Sequence, residues 1–153
     1  TPKFIEMQRT VASMDSSNIL VAGVGGIGCS WARQAHTKCR GSAHLVLIDA
    51  DDASFTTGDD VHVLRLGHAL DSVGCAALPP LAEQRMRGLN TLTNRLLDTT
   101  ELVILLTGLG GGVGTGAAHE FARQARQSGA VVLAVAALPF EQQTTRMDIA
   151  LEG

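Results

Sequence analysis

The stretch Gly108-Leu109-Gly110-Gly111-Gly112-Val113-Gly114-Thr115-Gly116 follows an apolar run, Glu101 to Thr107, and opens an amphipathic segment, Ala117 to Gln127. A strand, a glycine loop and a helix start in that order bring consecutive backbone N–H groups towards one point with a helix dipole behind them, which suits phosphate oxygens. Six of these nine positions are glycine, the residue that loses most backbone entropy on folding, so the loop is expected to admit a close approach to its backbone. Nucleotide binding is the first expectation.

Strands alternate with helices on both sides of this loop. Asn18 to Val24 reads as a strand, Ile27 to Arg40 as a helix closed by Gly41, and His44 to Asp49 as a second strand ending in Asp49, Asp51 and Asp52. Val61 to Leu66 is a weaker third strand, and the spacing of Leu81, Met86, Leu89, Leu92, Leu96 and Leu97 predicts one amphipathic helix over 81–98. A helix over Ala117 to Ser128 stops at Gly129 before a continuous apolar strand, Ala130 to Leu138, and a last helix is expected over Gln142 to Leu151. The strands lack polar alternation, which predicts an α/β domain: a Rossmann-like parallel sheet with helices on both faces.

The 153 residues, 45% hydrophobic, suffice for about one domain with its own core. A net charge of −3, a pI near 5.9 and 3% aromatic residues offer neither a basic footprint nor stacking platforms, so nucleic acid is not an expected partner. Cys29, Cys39 and Cys75 lack CxxC spacing, which points to a reducing, cytoplasmic setting rather than a disulfide or zinc framework. No run is long and apolar enough to insert into a membrane and no signal-peptide pattern opens the chain, so it reads as soluble. The five histidines form no H-x-x-x-H or H-E-x-x-H pattern and receive no metal role.

A second glycine motif, Gly23-Val24-Gly25-Gly26-Ile27-Gly28, fits G-x-G-x-x-G between a strand and a helix, with Asp49 further on in place for a ribose hydroxyl. Alone it points to NAD or to an ATP-using adenylating enzyme. Two glycine cradles in one domain point instead to one triphosphate gripped from two sides. No lysine follows either, and Lys3 and Lys38 are the only lysines, so phosphate charge must be met by backbone N–H groups, helix termini and a metal.

Gly110 to Gly116 followed by Ala117-Ala118 resembles the tubulin/FtsZ signature GGGTGTG-A-A, and the resemblance extends over most of the chain. Gly23 to Gly28 resembles that family's first glycine loop, Asp49-Ala50-Asp51 its N-T-D loop, Cys75 to Pro80 stands at its third phosphate loop, and Pro139-Phe140 through Arg146-Met147 resembles its ribose- and guanine-holding segment. The resemblance implies a GTPase of cell division or the cytoskeleton that takes GTP or GDP with Mg2+ and polymerises head to tail with itself, or with other FtsZ-like subunits. It implies a binding set of Gly25, Gly26, Gly28, Ser30, Asp51, Gly110, Gly111, Gly112, Gly114, Thr115, Gly116, Glu141, Gln142 and Arg146. Residues 1–17 are then an N-terminal extension and 18–153 the GTP-binding domain, expected to be incomplete at its C-terminal end. The family's core helix and the acidic loop that completes hydrolysis on a neighbouring subunit's nucleotide would lie beyond Gly153, so no catalytic residue is assigned.

The chain departs from the family pattern at several places. Val113 replaces a threonine, the third loop reads Cys75-Ala76-Ala77-Leu78-Pro79-Pro80 with fewer glycines, and Ser30 replaces a base-contacting asparagine. The segment after Pro139 is one residue short; aligning on Arg146 puts Gln142 at an acidic ribose contact, with Glu141 its acidic neighbour. These departures keep open a non-catalytic relative that regulates filaments, beside the GTPase and the Rossmann enzyme. For Asp51 and Thr115, a plain helix-capping role stands beside the binding role.

Overall fold

A computed structural model of the chain describes residues 18–67, 78–140 and 143–152. Its centre is a five-stranded, all-parallel sheet in the order β3-β2-β1-β4-β5, built from β1 (Ile19–Val24), β2 (His44–Asp49), β3 (Val61–Arg65), β4 (Leu102–Gly108) and β5 (Val131–Ala137). The expected α/β class and parallel sheet are what is observed. The central strands are apolar throughout because alternate residues enter different cores. Val21, Leu45, Leu47 and Leu106 point to one face, which helix α1 (Gly25–Cys39) covers with Cys29 and Ala32. Leu20, Ala22, Val46, Ile48, Val103 and Leu105 point to the other, covered by α2 (Pro79–Gly88), α3 (Asn90–Leu97) and α4 (Ala118–Gln127) through Met86, Leu97 and Phe121.

Five elements differ from the sequence reading. α1 begins at Gly25, so most of the first glycine motif is helix rather than loop. The helix expected over 81–98 is two helices, because Gly88, a poor helix former, is followed by Leu89 at φ −93°, ψ 8°, where its N–H turns back to Met86 and Arg87. The run from Gly112 enters α4 through a π-helical turn, Val113–Ala117. The last helix, α5 (Thr144–Glu152), starts two residues later than expected. β5, read as a fully buried strand, instead leaves Val131, Leu133 and Val135 exposed among the described residues.

The chain runs outward from β1 to β2 and β3, then crosses to β4 on the opposite side of β1. That reversal opens a crevice at the carboxyl ends of β1 and β4, the place where ligands bind in open α/β sheets. The last rung between the two strands pairs Val24 with Thr107, and a glycine turn leaves each strand just beyond it.

Candidate functional site

The two glycine turns meet at this crevice. Gly25 has φ +76°, a left-handed conformation that L side chains resist, and a Cβ there would lie 3.3 Å from the Gly114 nitrogen. Gly110, at φ +96°, sits more tightly still: a Cβ would stand 2.7 Å from both the Arg146 carbonyl and the Pro139 ring. Gly28, Gly114 and Gly116 are glycine because backbone passes over them; their added Cβ atoms would meet Leu106 O at 2.3 Å, Gly108 O at 2.0 Å and Pro79 O at 1.9 Å. Gly112 is buried at the start of the π-helical turn.

Gly26 and Gly111 are different. Both are exposed, neither has a left-handed φ, and a Cβ on either would meet nothing within 4 Å. No packing against the described residues demands glycine at these two positions, and a bound molecule approaching the backbone would. Beside them, the N-termini of α1 and of the π-helical turn carry no side-chain cap and no acidic residue in the first turn. Their N–H groups and dipoles therefore present positive partial charge to the crevice.

Side chains tie the walls together. Thr107, 3% exposed, places Oγ1 3.2 Å from Val24 O and 3.1 Å from Gly114 O. Thr115, also buried, accepts the Gly110 N–H at 2.9 Å on Oγ1, while its own N–H donates to Gly111 O, which closes the second loop on itself. Val113, where the signature has threonine, is 9% exposed and joins the core beside Phe121.

The structure brings Gly25, Gly26 and Gly28 together with Gly110 to Gly116, and sets exposed Arg146 against Gly110 through its backbone and Cβ. Asp51 caps the short 3-10 turn Asp52–Ser54, its Oδ1 accepting the Ala53 N–H at 3.0 Å, so its capping role has direct geometric support. Asp49 is likewise engaged with Ala50 N–H and the Ser54 hydroxyl. Ser30 lies half-buried in the second turn of α1. Glu141, Gln142 and Cys75 to Ala77 lie outside the described residues, as does the segment 1–17.

Cys29 donates to Gly23 O at 3.4 Å and to Ile48 O at 3.6 Å, and burial, with Asp49 nearby, pushes its thiol up to about 12. It is a buried packing group of the core between α1 and the sheet. Among the described residues, no group of three or more His, Cys, Asp or Glu side chains is arranged to hold a metal ion, and no helix is long and apolar enough to cross a membrane. A cleft of about 370 Å³, bordered by Pro79, Glu83, Thr115, Gly116, His119 and Ile149, shares Thr115 and Gly116 with the second turn; neither Gly26 nor Gly111 lines it.

Sequence reasoning missed two features. Thr107 was read only as the end of an apolar run; a hydroxyl closing a buried strand just before a glycine loop was the available signal. Glu120 and Gln124 are fully buried in α4, where the apolar face alone had been marked. Arg123 hydrogen bonds, helped by Gln124 and Arg87, outweigh burial and hold the Glu120 carboxyl down to about 2, while Glu120 spans α4 and Arg87 of α2. The spacing Glu120, Arg123, Gln124 on one helix face was visible in the sequence.

Residues 18–153 match the model of the Tubulin/FtsZ family, GTPase domain. The chain is 30% identical over 126 residues to Cell division protein FtsZ 1 of Archaeoglobus fulgidus, covering 82% of this chain and 34% of that protein. It is 31% identical over 143 residues to Cell division protein FtsZ of Coxiella burnetii, covering 92% of this chain and 37% of the relative. Its structure superposes on an empty FtsZ dimer from M. jannaschii with a TM-score of 0.87 at 26% identity, over 99% of this chain and 45% of the other. The chain thus spans between a third and a half of the proteins it matches.

Proposed function

We propose a function for a chain that belongs to the tubulin/FtsZ family of GTPases: its crevice binds GTP and GDP, with the phosphates in the seam between the two glycine turns. The observation that carries this reading is the pair of open, exposed glycines, Gly26 and Gly111, on opposite walls of a crevice with uncapped helix N-termini. Backbone N–H groups of Gly25, Gly26 and Gly110 to Gly112 would hold phosphate oxygens, a lysine-free cradle in keeping with the chain's lack of a nearby lysine. Arg146, with Glu141 and Gln142, would orient the ribose and base, and Ser30 would face the base from α1. Mg2+ would be carried on the phosphates with its own waters, since it binds through phosphate and one or two carboxylates rather than a protein cage, and Asp51 is the carboxylate we assign to its water shell.

Hydrolysis in this proposal belongs to a cytoplasmic head-to-tail assembly of such subunits, alone or with other FtsZ-like chains. A neighbouring subunit would supply the acidic loop and this chain the nucleotide face, an open heterologous contact. Here the chain's own residues fix and orient the triphosphate; positioning and charge stabilisation are what phosphoryl transfer asks of a protein. A second reading, a regulator that binds nucleotide without turning it over, is supported by Val113, whose apolar side chain joins the core where the signature carries a hydroxyl.

Titration of the chain with GTP, GDP, ATP and NAD, with and without Mg2+, by calorimetry tests the primary reading. Selective guanine-nucleotide binding is the expected result. Preference for ATP or NAD would return the first glycine turn to a Rossmann cofactor role, and no binding would leave a relative that keeps only the fold.

A further inference from the structure

We propose that Thr107 is the positioning residue that locks the two glycine turns at the separation the phosphates require; this rests on the nucleotide-binding reading above and extends it to a residue outside the glycine motifs. Thr107 faces Val24 on the last rung between β1 and β4, so the sheet's own hydrogen bonds hold the two walls together up to this point and no further. Beyond it the walls meet at Gly25 and Gly114, and the Ile27 side chain of α1 packs on Gly108, contacts that carry no side-chain hydrogen bond between the turns. The Thr107 hydroxyl sits in that gap, 3.2 Å from the carbonyl of Val24, which precedes α1, and 3.1 Å from the carbonyl of Gly114 in the π-helical turn. Among the described residues it is the only side chain that hydrogen-bonds to both turns. One hydroxyl proton serves two carbonyls, by sharing or by alternation, and in either state it ties one wall to the other. The contact is 3% exposed, so water cannot replace it readily, and branching at Cβ restricts the rotamer that delivers it. Thr115 makes the instructive contrast: its hydroxyl accepts from Gly110 and shapes one loop without reaching the other.

The test compares the chain with Thr107→Val, which keeps the shape and loses the hydroxyl, and Thr107→Ser, which keeps the hydroxyl. Affinities for GDP and for guanosine, which lacks phosphates, are measured by competition, with amide exchange of Cys29 in α1 and of Thr115, whose N–H donates to Gly111 O, in the ligand-free chain. In Thr107→Val, GDP affinity is expected to fall about tenfold with guanosine affinity unchanged, and exchange to quicken at both amides; Thr107→Ser is expected to restore both. Equal losses for GDP and guanosine, or a Thr107→Val chain that binds GDP as the parent does, would overturn the assignment while leaving the nucleotide site standing. Should Thr107→Val not fold, Thr107→Ala takes its place beside Thr107→Ser: a loss of GDP affinity in the alanine variant that the serine variant does not share supports the hydroxyl's role, and equal affinities in the two overturn it. A parent chain that binds no guanine nucleotide would instead overturn the functional reading beneath it.

Discussion

The two glycine turns place the same residue type in two opposed situations. At Gly28, Gly114 and Gly116 a methyl group would collide with a backbone carbonyl, so the fold itself requires glycine. At Gly26 and Gly111, a few residues away in each turn, a methyl group would project into open space. A glycine-rich motif is therefore a composite of packing positions and open positions, and only the second kind points outward to a ligand.

Substitution separates the two kinds. The largest effect is expected at Gly116, where Gly116→Ala drives a Cβ into Pro79 O at 1.9 Å, a carbonyl fixed in the first turn of α2. Overpacking against backbone should cost about 3 kcal/mol or more, a fall of roughly 6–12 °C in Tm by calorimetry. Gly26→Ala should leave Tm unchanged or slightly raised, because alanine is the better helix former. An unaltered melting curve for Gly116→Ala would break the comparison at its packed end.

At the open end, Gly111→Leu should retain the parent stability within about 1 kcal/mol yet lose guanine-nucleotide affinity by about a hundredfold, through steric occupation of the cradle. Calorimetric titration of a chain with a normal melting curve reads this directly. Unchanged affinity would mean that Gly111 is open for no ligand's sake.

The parallel sheet was legible in advance because unbroken apolar runs bounded by glycines are what a doubly covered parallel sheet demands, whereas the strand order β3-β2-β1-β4-β5 is a property of the assembled chain. The motif residues Gly25 to Gly28 and Gly110 to Gly116 were likewise found in the sequence and do converge. What no pattern displayed was the division of labour among them, since φ and the proximity of Leu106 O or Pro79 O are properties of the assembled chain. The break at Gly88 was obscured because leucines on both sides of it keep helical spacing. Thr107 was hidden for a related reason: its importance comes from carbonyls 83 and 7 residues away in sequence. The exposure of β5 was not legible because an apolar run reports what a strand is suited to contact, and Val131, Leu133 and Val135 remain largely uncovered among the described residues.

The second turn is further distinguished by what stands behind it. α4 continues from the π-helical turn, and its buried Glu120 joins Arg123 to Arg87 of α2. Behind the first turn, α1 opens on glycine and isoleucine and sets only His36, near its far end, against Asp60 among the described residues. Glu120 has its pKa lowered from 4.5 to about 2, so the folded state favours the carboxylate, and its contribution is complete above pH 4.5 and lost as pH falls towards 2. Glu120→Gln should lower stability at pH 7 by about 1–3 kcal/mol, with the gap to the parent narrowing across that acid window. Melting curves of both chains against pH check it, and amide exchange should loosen in the second turn before the first. A constant gap down to pH 2 would detach Glu120 from the acid response.

The smallest effect is expected farthest from either turn, at the opposite end of the sheet, where His44 and His62 meet across β2 and β3. His44 Nδ1 and His62 Nε2 are 3.4 Å apart while the ring centroids are 5.7 Å apart, so the two nitrogens occupy the facing edges of the rings. One N–H can donate to the other ring's lone pair; two protonated rings would set N–H against N–H. Burial and then the charge of His44 lower the His62 pKa below 6.5, with Asp60 opposing them. The folded state thus favours neutral His62: the contribution is intact above pH 6.5 and lost as pH falls through the depressed value. Because His62 is exposed, solvent screens most of this, and the expected shift in Tm is roughly a degree, absent in His62→Gln. Nucleotide affinity should not follow this titration, since the pair lies at the amino ends of its strands and the cradle at the carboxyl ends. If affinity in the parent tracked the His62 titration and His62→Gln removed that dependence, the two ends of the sheet would be coupled, and the open glycines could no longer be treated as a site set only by their own walls.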